Sequence, residues 1–167
     1  QNWPQTYVEA GTTYQARLRT YLAEIRRLGA TPVLVTSPQR RNFSPDGKIR
    51  NTHGDYPAAV RAVAAEEQAA LIDLEAASRA LYEALGPDRS PLAFSNGGKD
   101  ATHHNNYGAY QLAKAVAQGI RDSAALTPLA AFLANDFAAY DPAKPDDPAA
   151  FKLPASPQRS DLRPRGN

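Results

Sequence analysis

Pro32-Val33-Leu34-Val35-Thr36 decides the fold. It is a short unbroken apolar and β-branched run, the pattern of a strand covered on both faces in a parallel sheet. Upstream, Tyr14, Leu18, Tyr21, Leu22, Ile25 and Leu28 recur at i, i+4, i+7, i+8, i+11 and i+14, which predicts one apolar face of a helix over 14–28. Thr12 and Gln15 have the spacing of a capping box, and Gly29 is a C-terminal stop. Downstream, residues 37–54 form a polar stretch too long for a simple connection, which points to a functional loop. Asp55-Tyr56-Pro57 then opens a second helix, with Asp55 as N-cap, Pro57 in the first turn and Val60, Val63 and Ala64 as the buried stripe. Leu71-Ile72-Asp73-Leu74 reads as a second strand, and 76–85 as a helix closed by Gly86-Pro87. The last clear helix covers 106–124, with Tyr110, Ala113, Val116, Ala117 and Ile120 facing inward. Helix and strand in alternation predict an α/β fold with a parallel sheet and right-handed crossovers.

The 167 residues, 43% apolar and 22% charged, suit one globular domain with a real core. Residues 1–126 carry the predicted elements. Residues 127–167 hold seven of the 14 prolines and read as an extended tail packed on the same domain. With no cysteine, the chain has no disulfide, zinc–thiolate site, iron–sulfur cluster or cysteine nucleophile. A net charge of +2, scattered along the chain, argues against nucleic acid or a membrane surface as partner. No apolar run approaches the roughly 18 residues of a membrane span, and Gln1-Asn2-Trp3-Pro4 is too polar to open a signal peptide. Two strands fall short of the about five or six of an ordinary sheet, and the sequence has no methionine. Together these lead us to expect that the N-terminal strands of the domain are missing, the chain being processed, truncated or the later part of something longer.

The chemistry-bearing stretch is Lys99-Asp100-Ala101-Thr102-His103-His104-Asn105-Asn106-Tyr107-Gly108. An Asp three residues before a His, on a turn entering a helix, can accept a hydrogen bond from one imidazole nitrogen while the other faces outward. That is the base-and-orienter half of a Ser-His-Asp triad: Asp100 fixes the tautomer and His103 moves the proton. The plainer reading, with Asp100 capping the turn and His103 a surface residue, stands beside it. A zinc site collecting His53, Asp100, His103 and His104 is disfavoured, because adjacent histidines on a turn diverge and no His-x-x-x-His pair accompanies them. No cofactor motif is present. Arg40 and Arg41 follow the C-terminal end of the first strand, where α/β sheets place ligand loops. They are candidates for the carboxylates of an acidic polysaccharide, with two solvated arginines as the alternative. Trp3, Tyr7, Tyr14 and Tyr21 could serve as sugar platforms, although Tyr14 and Tyr21 lie on the apolar helix face and suit the core better.

The block Asp100-x-Thr102-His103-x-Asn105-x-Tyr107-Gly108-Ala109 resembles the last block of the SGNH (GDSL-like) hydrolases, and within them the rhamnogalacturonan acetylesterase group. Gly29-Ala30-Thr31-Pro32-Val33-Leu34-Val35-Thr36 is similar to that group's fourth-strand segment, followed by Arg40-Arg41-Asn42-Phe43. Gly54-Asp55-Tyr56-Pro57, Leu71-Ile72-Asp73-Leu74, Leu81-Tyr82-Glu83-Ala84-Leu85-Gly86 and Leu153-Pro154-Ala155-Ser156-Pro157 extend the likeness over nearly the whole chain. The resemblance implies a flavodoxin-like α/β/α sandwich and removal of O-acetyl groups from plant cell-wall polysaccharide. Asp100 and His103 match the family's catalytic Asp and His. The family's Gly-Asp-Ser nucleophile block and its Gly-x-Asn-Asp oxyanion block do not occur here. Ser37, Ser44, Ser78, Ser90, Ser95, Ser123, Ser156 and Ser160 lie in neither the nucleophile block nor a Gly-x-Ser-x-Gly elbow.

We therefore expect the later portion of a secreted or periplasmic serine esterase, with acetylated rhamnogalacturonan as substrate. A second chain supplying the N-terminal half is one arrangement. A xylan or other polysaccharide acetylesterase is the alternative within the class. A non-catalytic carbohydrate-binding or structural lobe is the alternative outside it.

Overall fold

The computed structural model describes residues 8–135 and 137–152. Trp3, Tyr7, Ser156, Ser160 and the segment Leu153-Pro154-Ala155-Ser156-Pro157 lie outside the described residues. In chain order the elements are a π-helical turn Ala10–Tyr14, α1 Gln15–Arg27, β1 Val33–Val35, α2 Tyr56–Glu66, β2 Ala70–Ile72, α3 Leu74–Arg89, α4 Asn106–Asp122 and α5 Thr127–Ala130, with 3₁₀ turns at Ser90–Ala93, Asn96–Gly98 and Ala124–Leu126.

β1 and β2 pair in parallel, Val33 opposite Ala70, Leu34 opposite Leu71 and Val35 opposite Ile72. Alternation along the strands sends Val33, Ala70 and Ile72 to one face, where Val116 and Ile120 of α4 and Leu126 cover them. Helix α2 packs on both strands, and α1 packs on α2. The result is an α/β fold with a parallel sheet, as the alternating pattern predicts. A Cβ on Gly119 would stand 2.9 Å from Cγ2 of Ile72, so α4 reaches the sheet only because that position lacks a side chain. A second core joins α3 to the loop before α4. It consists of Ile49, Leu81, Tyr82, Leu85, Ala93, Phe94 and Tyr107, with Phe43, Leu112 and Phe151 against it. Side chains as fully covered as Leu81 and Phe94, each 1% exposed, contribute on the order of 1.5–3 kcal/mol each by burial.

Several expectations are corrected. β1 is half-buried rather than covered on both faces: Val35 is 45% exposed, and among the described residues β2 is the one strand beside β1. β2 ends at Ile72, because the Asp73 carboxylate accepts the Ala76 N–H at 3.2 Å and starts α3 at Leu74. The Thr12–Gln15 capping box does not form, since the Thr12 hydroxyl donates to Glu9 and the chain is already helical from Ala10. Tyr21 and Leu28 of α1 are 67% and 68% exposed, not core. Leu22 alone of the predicted face is fully covered, as befits a helix resting chiefly on α2. Asp55 stands at the N-cap of α2 without a side-chain cap bond. Gly86, at φ +71°, breaks α3 where expected, but a further helical turn through Arg89 follows Pro87.

The buried face of α4 is also rotated from the one predicted. Tyr107, Gly108, Gln111 and Ala115 are buried, whereas Tyr110 and Ala113 are exposed. Residues 137–152 cause this by lying along α4. The Tyr140 hydroxyl donates to Gln111 Oε1 at 3.0 Å, and Gln111 Nε2 donates to Asp146 at 2.9 Å. The Tyr107 hydroxyl donates to the Asp146 carbonyl at 2.6 Å. A glutamine with all of these partners can be buried; sequence periodicity, which scores it polar, turns the helix the wrong way.

Candidate active site

Residues 95–104 form a closed loop on the end of the second core. An isolated antiparallel bridge between Phe94 and His104 ties its base. The Ser95 N–H donates to the His103 carbonyl at 2.9 Å, and the Ser95 hydroxyl donates to the His104 carbonyl at 2.9 Å. Asn105 then starts α4: its Oδ1 accepts the Gly108 N–H at 3.1 Å and its Nδ2 donates to the Leu92 carbonyl at 2.8 Å. A Cβ on Gly108 would fall 2.1 Å from the Ala93 carbonyl oxygen, so glycine is required where α4 meets the turn below.

Asp100 sits at the tip. Its Oδ1 accepts the backbone N–H groups of Thr102 at 2.7 Å and His103 at 2.9 Å, an Asx turn that orders the next three residues. Its Oδ2 lies 2.7 Å from Nδ1 of His103. An ionised carboxylate only accepts, so Nδ1 carries the proton and Nε2 is left as the basic nitrogen. Those two backbone donors, with the imidazole as third, hold the Asp100 carboxyl down at about 2. The His103 side chain is 78% exposed and that of Asp100 29%. Among the described residues no serine hydroxyl hydrogen-bonds His103 Nε2.

His104, adjacent in sequence, faces the other way. Its ring stacks on Tyr82 and tilts against Phe94 with centroids 5.9 and 4.6 Å away. Burial pushes its pKa down, so it is neutral and its Nε2 takes the Tyr82 hydroxyl at 2.6 Å. His53 Nε2 pairs with the Pro38 carbonyl at 2.9 Å. The three imidazoles are thus engaged separately. Among the described residues no group of three or more His, Asp or Glu side chains is arranged to hold a metal ion.

The two arginines after β1 do not act as a pair. The segment is pinned from below: the Glu75 N–H donates to Thr36 Oγ1 at 2.8 Å and the Gln39 N–H to Ser78 Oγ at 2.8 Å. Arg61 spans Asp73, at 2.8 Å from each carboxylate oxygen, and reaches Glu75 as well. Arg40 is exposed on the rim of a cleft of about 560 Å³ lined also by Tyr14, Ser37, His53 and Tyr56. Tyr14 and Tyr56 meet there edge to face at 5.1 Å. Arg41 turns away, and its guanidinium is committed to the carbonyls of Gly98 and Asp100. Of the two candidates, Arg40 lines the cleft and Arg41 is turned toward the Asp100 loop.

Three further features were not read from sequence: the buried partnership of Thr36, Gln39, Glu75 and Ser78, the Tyr82–His104 pair, and the inward turn of Arg41. A fourth, the Asn105 cap of α4, did carry a readable signal, since asparagine immediately before a helix is a preferred N-cap.

No family model matches the sequence. The chain is 40% identical over 122 residues to the rhamnogalacturonan acetylesterase RhgT of Bacillus subtilis, 66% of this chain and 53% of RhgT. It is 38% identical over 123 residues to YesY of the same organism, named a probable rhamnogalacturonan acetylesterase, covering 72% of this chain and 56% of YesY. The crystal structure of Bacillus subtilis YxiM superposes with a TM-score of 0.61 at 29% identity, over 68% of this chain and 32% of YxiM. The chain thus spans about half the length of RhgT and of YesY.

Proposed function

We propose, starting from an SGNH-type chain similar to the rhamnogalacturonan acetylesterases over about half their length, that it carries the Asp–His portion of a serine acetylesterase site. The observation that supports this is the 2.7 Å contact between Asp100 Oδ2 and His103 Nδ1, with the imidazole standing out from the loop. In this reading Asp100 fixes the tautomer and stabilises the imidazolium. His103 Nε2 takes the proton of a serine supplied outside these residues. That serine attacks the acetyl carbonyl, the proton passes to the departing sugar oxygen, and a water activated by His103 then releases acetate and the serine. The oxyanion donors belong to the same absent portion, whether in the same polypeptide or in a second chain. The substrate is O-acetylated rhamnogalacturonan, with Arg40 in its cleft suited to a galacturonate carboxylate. A secreted or periplasmic site is the matching location, and the cysteine-free sequence fits it.

Fluorophosphonate labelling and acetate release from acetylated rhamnogalacturonan test the reading. The pure 167-residue chain should take no label and release no acetate. A preparation that also contains the nucleophile-bearing portion should do both, and lose both with His103→Ala. Turnover by the pure chain that His103→Ala abolishes would refute the external nucleophile. Unchanged turnover of the complete assembly after that substitution would refute the role of His103.

A further inference from the structure

We infer that Arg41 is the positioning residue of the Asp100–His103 loop, its side chain and backbone gripping the carbonyls on either side of Asp100. The inference deepens the acetylesterase reading and rests on it for its functional meaning.

Three carbonyls around Asp100 converge on this one residue. Arg41 Nη2 donates to the Gly98 carbonyl at 2.5 Å and reaches the Asp100 carbonyl at 3.4 Å. The Arg41 backbone N–H donates to the Ala101 carbonyl at 2.9 Å. The guanidinium carbon also lies 5.4 Å from the centroid of the Phe94 ring, at the base of the same loop. The loop's other ties are at its ends: the Phe94–His104 bridge and the Ser95–His103 and Asn105 bonds. Nearer the tip the remaining bonds stay within the loop: the Gly98 and Asp100 N–H groups donate to the Ser95 carbonyl at 3.0 and 3.4 Å, the Lys99 N–H donates to the Asn96 carbonyl at 3.2 Å, and the Asp100 carboxylate holds its own turn.

The backbone there needs such a clamp. Gly98 has φ +82°, and a Cβ would stand 2.6 Å from Cβ of Pro91, so the chain passes through a tight left-handed position two residues before Asp100. Orphan carbonyls pointing off such a turn repel one another unless a donor gathers them. A planar guanidinium with several donors gathers two at once, which a lysine ammonium on a flexible stem does poorly. Arg41 is itself held by the segment that Thr36 and Gln39 anchor to α3. The frame therefore runs from the end of β1 to the catalytic loop. Arg41 touches no reacting atom and acts only through the shape of that loop.

The test uses the 167-residue chain, with ¹³C-detected titration of the Asp100 carboxyl and hydrogen exchange of the Thr102 and His103 amides, in Arg41→Ala and Arg41→Lys. Lysine keeps the charge and most of the stem on Phe94, so it separates field from geometry and guards against an alanine variant that fails to fold. Both variants should raise the Asp100 midpoint, alanine by about one pH unit or a tenfold change in proton affinity, and both should speed exchange of the two amides. Lysine behaving as wild type in both readouts would show that charge alone matters and overturn the positioning role; so would an alanine variant that folds and changes neither. Because neither readout involves ester turnover, a complete assembly inactive on acetylated rhamnogalacturonan would count against the proposed function and leave this result standing.

Discussion

Asp100 Oδ2 lies 2.7 Å from His103 Nδ1 while Oδ1 of the same carboxylate takes the backbone N–H of His103 at 2.9 Å. One acid thus fixes both the ring and the main chain of the residue three positions on. Asp100→Asn should keep the turn, since an amide oxygen still accepts the backbone donors, but it loses the charge that stabilises the imidazolium. In the complete enzyme kcat should fall by about 10⁴-fold. In the isolated chain, ¹⁵N spectra should show His103 shifting from the Nδ1–H tautomer toward a mixture. A kcat within threefold of wild type would contradict the orienting role.

The low pKa of Asp100 has a defined consequence for pH. Its folded value, about 2, lies below the ordinary 3.8, so its ordering of the loop is present above the ordinary value and is lost as pH falls through the folded one. Below about pH 4 the amide resonances of Thr102 and His103 report on the Asp100 carboxylate. They should then move together through a midpoint near 2, ahead of or with any global unfolding. A midpoint at the ordinary aspartate value would mean that the three donors do not act on this carboxylate.

How far the sequence reaches is clear from this loop and its neighbours. The Asp-x-x-His spacing, the strand at Val33–Val35 and the helix following Asn105 are legible because each depends on local spacing or capping. What is not legible depends on distant partners. Gln111 is buried because Tyr140 and Asp146 bond to it, and Tyr21 is exposed because α1 rests chiefly on α2. Arg40 and Arg41 are neighbours of the same type in sequence. A main-chain bond to Ala101, some 60 positions on, sends one into the loop and leaves the other at the cleft.

Arg40 therefore makes a sharper prediction than the pair would. In gel affinity electrophoresis against polygalacturonate, the 167-residue chain should be retarded, Arg40→Ala should lose most of that retardation, and added salt should weaken it. In the complete enzyme the same substitution should lower activity on acetylated pectin and spare a small acetate ester. Equal loss on both substrates would remove Arg40 from polysaccharide recognition.

Glycine 108 makes a prediction on stability. Its missing side chain lets α4 approach the Ala93 carbonyl, which a Cβ would meet at 2.1 Å. That clash is with backbone and cannot be relieved by a rotamer change. Gly108→Ala should therefore destabilise the fold by about 1–3 kcal/mol, although alanine favours helix, as overpacking generally does. Urea denaturation measures it. A gain in stability would show that α4 shifts freely, and with it the base of the His103 loop.

His104 contributes to the loss of stability on the acid side. Burial lowers its pKa below the ordinary 6.5, with a smaller lowering from His103 and a raising influence from Asp100. The unfolded chain therefore binds a proton near pH 6.5 that the folded chain refuses, and stability is lost as pH falls below that value. Thermal unfolding from pH 7.5 to 5 should show the melting temperature declining as the solution is acidified. His104→Gln can still meet the Tyr82 hydroxyl but cannot titrate, so it should start lower and run flatter across the same range. An unchanged slope in that variant would place the proton uptake on another group and leave His104 outside the pH response.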